Sequence, residues 1–249
     1  MNEFDKFNFY HDRVLINCLA KDLQNAKEIV ATAEGHVAIG LLSKRFPTVE
    51  ENVIEVRKFQ KEIPLISIGL GDGSPKQWKM AAEIASITDP GHVNQVFPAA
   101  GYTLGLLDGK GCTQTIVNAL MSPTGVLGKI KINTGIFSSD KTEHVDIETA
   151  LLMLKDIGLR SLKFFNIHGN THLEELKVVA QACADSGIEM IEPTGGIDVD
   201  NIRDVLNVCL RTGVKHIMPH IYSSIIDKET GLTDPALVLK VIQIIKEMV

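Results

Sequence analysis

Short apolar runs alternate with longer amphipathic ones along the whole chain. The short runs are RVLINCLA (13–20), HVAIGLL (36–42), PLISIGL (64–70), HVNQVF (92–97), VLGKIKIN (126–133), SLKFFNI (161–167), EMIEPTG (189–195) and HIMPHI (216–221). Several are rich in β-branched residues, as buried parallel strands are. Between them, KDLQNAKEIVATAEG (21–35), TVEENVIEVRKFQKEI (48–63), DIETALLMLKDIG (146–158), THLEELKVVAQACADSG (171–187) and DVDNIRDVLNVCLRTG (198–213) repeat apolar residues at three- and four-residue steps. That period predicts helices. The last three open near a Thr or Asp and close on Gly158, Gly187 and Gly213, and the chain ends in a Pro-led helix from Asp234. The segment 101–123 is less regular and is read as two short helices.

Eight strands, each followed by a helix, over 249 residues predict a single α/β domain, a (β/α)8 TIM barrel spanning 1–249. The doubly wound alternative would prefer a Gly-rich first turn, and the first turn here is LAKDLQN. In such a barrel the functional groups lie at the C-terminal ends of the strands.

Composition narrows the partners. The chain is 45% hydrophobic with a net charge of −6 and no basic stripe, so nucleic acid is not expected. The start MNEFDKFNFYHDR is polar and charged, and no run reaches membrane-spanning length. Cys18, Cys112, Cys183 and Cys209 are widely spaced and form no CxxC. That spacing predicts reduced thiols in a cytoplasmic protein. Barrels of this size commonly assemble, so a homo-oligomer is expected.

Two features at the strand ends carry chemistry. Lys163 falls inside the sixth expected strand, before Phe164 and Phe165, and the seventh ends in Thr194, Gly195 and Gly196. Parity places Lys163 with Phe165 and Glu192 with Thr194 on shared faces. A buried lysine loses charge as its pKa falls, and the free amine attacks carbonyls to form a Schiff base. The competing reading is an ion pair between Lys163 and Glu192 at the strand end. Gly195 and Gly196 form either a tight turn or a backbone cradle for phosphate, with a helix from near Val199 aimed at the same spot.

LKFFNI and PTGGI resemble the KFFP and PTGGI pair of the 2-keto-3-deoxy-6-phosphogluconate (KDPG/KDGP) aldolase family, and KINTGIFSSDKTEHVDIETALLMLKDIGL (131–159) is similar to a further stretch of it. The whole chain resembles more closely the divergent, DgaF-type branch. The resemblance implies a class I, pyruvate-forming aldolase without metal or cofactor. Its substrate would be a phosphorylated 2-keto-3-deoxy sugar acid, split into pyruvate and glyceraldehyde 3-phosphate. It implies Lys163 as the Schiff-base residue and Thr194, Gly195 and Gly196 as the substrate loop. The family's strand-two glutamate is missing from AIGLLSKRF (38–46), where Lys44 and Arg45 are the cations. Glu192 is then expected as the proton-transfer residue, with Asp72 in GLGDGSP as the second candidate.

Further substrate contacts are expected from Arg45, from His168 at the mouth of the sixth strand, from Asn133 after the fifth and from Ser223 after the eighth. His168 and His172, four apart, would bind a metal only on a helix, and the intervening Gly-Asn-Thr predicts a loop. His216 and His220 lie about 13 Å apart along a strand and cannot share an ion. Other readings are a 4-hydroxy-2-oxoglutarate aldolase, a phosphosugar isomerase or epimerase, and a barrel that senses a sugar phosphate.

Overall fold

A computed structural model describes residues 3–249. In chain order the elements are β1 (Ile16–Leu19), α1 (Leu23–Thr32), β2 (Val37–Leu42), α2 (Val49–Gln60), β3 (Ile66–Gly69), α3 (Trp78–Thr88), β4 (Gly91–Val93), α4 (Phe97–Gly109), β5 (Ile116–Met121), β6 (Lys129–Ile130), β7 (Val145–Asp146), α5 (Ile147–Ile157), β8 (Ser161–Phe165), α6 (Leu173–Ser186), β9 (Met190–Thr194), α7 (Ile202–Leu210), β10 (His216–Ile217) and α8 (Pro235–Met248). Eight strands pair in parallel in the order β1-β2-β3-β4-β5-β8-β9-β10. The sheet closes on itself where Leu15 N donates to Ile217 O at 3.1 Å and Asn17 N to Pro219 O at 3.0 Å. The fold is the expected (β/α)8 barrel, with the helices outside.

Local chemistry sets the helix ends. Thr48 and Glu51 form a reciprocal capping box at the start of α2. Asp22 and Asp234 cap α1 and α8 through their side chains. Gly158 and Gly187, at φ 90° and 79°, end α5 and α6 in the left-handed conformation. Gly213 plays no such part, since α7 has already ended at Arg211.

The fifth strand differs from expectation. The run 126–133 does not enter the barrel; β6 and β7 form a small antiparallel hairpin outside it. The barrel strand is β5, inside the segment expected to hold short helices. Its apolar run is interrupted by Asn118, which is buried in the barrel interior.

The barrel interior is layered. At the N-terminal ends of the strands Phe4, Phe7 and Phe9 pack against Leu15, Leu65, Ile116, Met190 and Met218 as an apolar plug. The segment that reads as a polar start thus seals the bottom of the barrel. Above the plug lies a polar layer of Asn17, Ser67, His92, Asn118, Ser161, Glu192 and His220, all buried. Above that, the strands open toward solvent at their C-terminal ends.

Candidate active site

Alternation along β8 points Ser161, Lys163 and Phe165 into the barrel and Leu162 and Phe164 outward against the helices. Lys163 lies opposite Glu192 on β9, and Phe165 lies opposite Thr194. Lys163 is 7% exposed. Its Nζ donates to Asn94 Oδ1 at 2.8 Å and lies 3.0 Å from His220 Nδ1. Burial brings the Lys163 ammonium down to a pKa of about 8, against an upward pull from the Glu192 carboxylate. Burial and the charge of Lys163 bring His220 down to about 3, against the pull of Glu192. Both partners of Lys163 are therefore neutral near pH 7.

A cavity of about 380 Å³ opens over Lys163 at the C-terminal ends of the strands. Asn94, Lys163, His220 and Tyr222 line its inner end; the loops after β3, β9 and β10 line its mouth. The β3 loop runs through three successive left-handed residues, Gly71, Asp72 and Gly73, at φ 70°, 52° and 65°. Gly195, at φ 105°, leaves the space that Asn166 Oδ1 fills; a Cβ there would overlap that oxygen. A Cβ on Gly196 would point away from the cavity, 2.7 Å from Gly169 N.

Glu192 is fully buried and does not line the cavity. Its Oε1 accepts from Ser161 Oγ at 2.5 Å and His92 Nε2 at 3.0 Å. Its Oε2 accepts from Asn118 Nδ2 and His220 Nε2, each at 2.8 Å. Burial alone would push this carboxyl up, but His92 and His220 hold it well below the usual carboxylate range. The expected proton-transfer residue thus stands behind His220 as a saturated acceptor.

Of the other expected residues, Thr194, Gly195, Gly196, Asp72 and Ser223 line the cavity. The Asp72 side chain is 94% exposed and lies 3.4 Å from Lys44 Nζ. Arg45, His168 and Asn133 do not reach the cavity. Arg45 is held by the carbonyls of Ala20 and Lys21 and by Glu55. Asn133 follows the outer hairpin instead of a barrel strand, and its Nδ2 donates to Lys141 O at 2.7 Å. His168 is exposed at φ 48°, and His172 pairs with Glu175 at 2.6 Å. The helix after Gly196 begins at Ile202, not near Val199. Asp198 Oδ1 already accepts from Asp200 N and Asn201 N just ahead of it.

Sequence reasoning missed His220, Tyr222, Asn94 and Asn166. His220 sits at the C-terminal end of an expected strand, which was signal enough in a barrel; it was weighed only as a metal ligand. Asn94 was concealed by an expected strand that ran past Val93, and Tyr222 and Asn166 carried no recognisable spacing.

A sequence model of KDGP aldolase matches residues 10–229. The chain belongs to the KDGP aldolase family. It is 48% identical over 245 residues to 2-dehydro-3-deoxy-phosphogluconate aldolase of Salmonella typhimurium, covering 98% of this chain and 99% of that one. Among solved structures it is similar to thiamine phosphate pyrophosphorylase from Pyrococcus furiosus, with TM-score 0.57, 14% identity and 95% and 96% of the two chains covered. It is also similar to the carboxyl transferase domain of Rhizobium etli pyruvate carboxylase with pyruvate, with TM-score 0.56 and 12% identity, covering 99% of this chain and 49% of that one. These two likenesses concern the barrel fold alone. Among the described residues of this KDGP aldolase family member, no helix is long and apolar enough to cross a membrane.

Proposed function

We propose that the protein is a class I aldolase that cleaves 2-dehydro-3-deoxy-6-phosphogluconate to pyruvate and glyceraldehyde 3-phosphate. One observation carries the reading: the buried Lys163 Nζ faces the cavity with two neutral partners and a pKa brought down to about 8. An ion-paired lysine would have a raised pKa and a poor lone pair. Lys163 instead has the environment of an amine that attacks a carbonyl. The curated relative's name supports the choice of substrate.

In this reading the Lys163 amine adds to the C2 carbonyl, and loss of water gives the iminium. The iminium draws the C3–C4 bonding electrons toward nitrogen, and the bond to the aldehyde fragment breaks. Thr194, whose hydroxyl donates to Glu192 O at 3.1 Å, lies beside the lysine on the cavity wall. The backbone of Gly195 and Gly196 and the hydroxyl of Ser223 line the mouth. This is where barrels commonly hold phosphate, after the seventh and eighth strands. The cavity volume of about 380 Å³ lies within the range of small-molecule sites. The four unpaired cysteines fit a cytoplasmic enzyme.

Pyruvate with borohydride tests the reading. Peptide mapping should place an irreversible adduct on Lys163, and Lys163→Ala should abolish it. An adduct on another lysine, or loss of activity on chelation, would refute the assignment.

A further inference from the structure

Each hydrogen bond to Glu192 has an assignable direction, and these directions point to one basic atom on the cavity wall. Glu192 is acceptor-only, so His92 and His220 both present an Nε2–H to it, at 3.0 and 2.8 Å. His220, neutral near pH 7, then keeps a lone pair on Nδ1. The Nδ1 of His92 is closed off: Ser67 Oγ lies 2.7 Å from it and itself accepts from Asn94 Nδ2 at 3.1 Å. Ser67 thus stands between that nitrogen and any substrate, and His92 does not line the cavity. The Nδ1 of His220 faces the other way, 3.0 Å from Lys163 Nζ and 2.9 Å from Tyr222 Oη. His220 is part of the cavity lining, and Glu192 is not.

On the Schiff-base reading, on which it rests, we infer that His220 is the catalytic residue that moves the proton in carbon–carbon bond cleavage and that Glu192 is its positioning residue. The lone pair of Nδ1 takes the proton of the substrate's C4 hydroxyl. The C4 oxygen becomes the aldehyde carbonyl, the C3–C4 bond breaks, and its electrons form the C2–C3 double bond of the enamine while nitrogen recovers its lone pair. Imidazolium Nδ1–H then gives its proton to C3, which restores an iminium. Water adds to that iminium, and pyruvate leaves with Lys163 regenerated.

The charge count favours this route. Before cleavage the cation is the iminium and His220 is neutral. After cleavage the enamine is neutral and His220 is the cation, still 2.8 Å from the Glu192 carboxylate. The number of charges in the buried site does not change, and only a short displacement of positive charge is needed. Lys163 is one cause of the lowered His220 pKa. The enamine removes that charge at the step where His220 must hold a proton. The other groups around His220, Tyr222 and Asn17, act as neutral hydrogen-bonding partners, with Tyr222 Oη 3.1 Å from Asn17 Oδ1.

His220→Gln separates the steps. Labelling of Lys163 by pyruvate and borohydride should stay within about threefold of the wild type. Cleavage turnover and deuterium exchange into the pyruvate methyl group should both fall by about 10²–10⁴-fold. A parallel fall in all three readouts would make His220 a structural residue and overturn the inference; so would unchanged exchange. Nitrogen-15 spectra of histidine-labelled wild type are independent of any variant's folding. They should show the Nε2–H tautomer for His220, and the Nδ1–H tautomer would overturn the inference. Glu192→Gln should lower turnover while labelling persists, and should weaken that tautomer preference. If the wild type is not labelled by pyruvate at all, the aldolase reading fails first and takes this inference with it.

Discussion

The lowered pKa of Lys163 has a kinetic signature that can be worked out in advance. The fall from 10.5 to about 8, caused first by burial and opposed by Glu192, corresponds to roughly 3 kcal/mol of lost preference for the ammonium form. At pH 7 about one molecule in ten then carries the free amine, against about three in ten thousand for an ordinary lysine. The burial is thus worth a factor of about 300 in reactive species. The assay is the second-order rate of pyruvate trapping with cyanoborohydride, followed by mass spectrometry from pH 6 to 10. The rate should rise about tenfold per pH unit up to about 8 and level off above it. Glu192→Gln removes the carboxylate that favours the ammonium, so its half-point should move to lower pH. A wild-type half-point near that of free lysine, or an upward shift in Glu192→Gln, would refute the reasoning.

Lys163→Met should abolish activity and raise stability at pH 7 by about 1–3 kcal/mol, because it relieves the burial of a charge. Asn94 Oδ1 keeps Asn118 Nδ2, and Tyr222 Oη stays 2.9 Å from His220 Nδ1. The sign with pH follows from linkage: between about 8 and 10.5 the unfolded chain binds more protons at Lys163 than the folded one, so wild-type stability rises there and the advantage of Lys163→Met shrinks. Urea denaturation at pH 7 and pH 10 measures both, and an advantage independent of pH would count against a buried ammonium. Ser223→Ala should raise KM for the phosphorylated substrate by about tenfold or more if the hydroxyl donates to phosphate. It should leave kcat/KM for unphosphorylated 2-keto-3-deoxygluconate unchanged, and equal effects on the two substrates would remove Ser223 from the phosphate site.

The legible parts of the fold were those with strong periodicity or punctuation. Helices α2, α5, α6 and α8 carry both apolar steps and end signals, and β8 and β9 are continuous apolar runs around one or two special residues. The fifth strand was illegible for a physical reason: its central Asn118 belongs to a buried polar layer, so IVNALM breaks the apolar pattern, while GKIKIN alternates cleanly and lies outside the barrel. The same layer concealed the site. Lys163, Thr194 and the two glycines were found because a charge in an apolar strand and a glycine pair are local anomalies. His220 and Asn94 become significant through partners on other strands, the Lys163 contacts at separations of 57 and 69. Glu192 was correctly placed beside Lys163 by parity, but parity does not reveal that four donors surround it. Arg45 was an expectation from proximity in sequence; two backbone carbonyls and Glu55 hold it elsewhere.

The polar layer imposes a constraint of its own. Deleting Ser67 or Asn118 from it leaves a buried partner unpaired, His92 Nδ1 or Gln95 N, at about 1–3 kcal/mol each. Asn94 shows how tight this is: its Nδ2 serves Ser67 Oγ and Ile68 O, and its Oδ1 receives Lys163 Nζ and Asn118 Nδ2. Rotating that amide would set its nitrogen against the two donors at one end and its oxygen against the Ile68 carbonyl at the other, so its orientation is fixed by its neighbours. Asn118 is fixed likewise, by Gln95 N on its oxygen and by Glu192 and Asn94 on its nitrogen. The lysine amine is thus aimed by groups that cannot turn independently. Backbone closeness contributes as well: a Cβ on Gly40 would lie 3.2 Å from Asn17 Oδ1 and 2.9 Å from Leu19 Cδ2, so the bare backbone of β2 makes room for the asparagine that meets Tyr222. An apolar core of the same volume would be easier to fold. What it could not do is hold an amine and an imidazole 3.0 Å apart while a single carboxylate, screened from the substrate, favours whichever of them carries the proton.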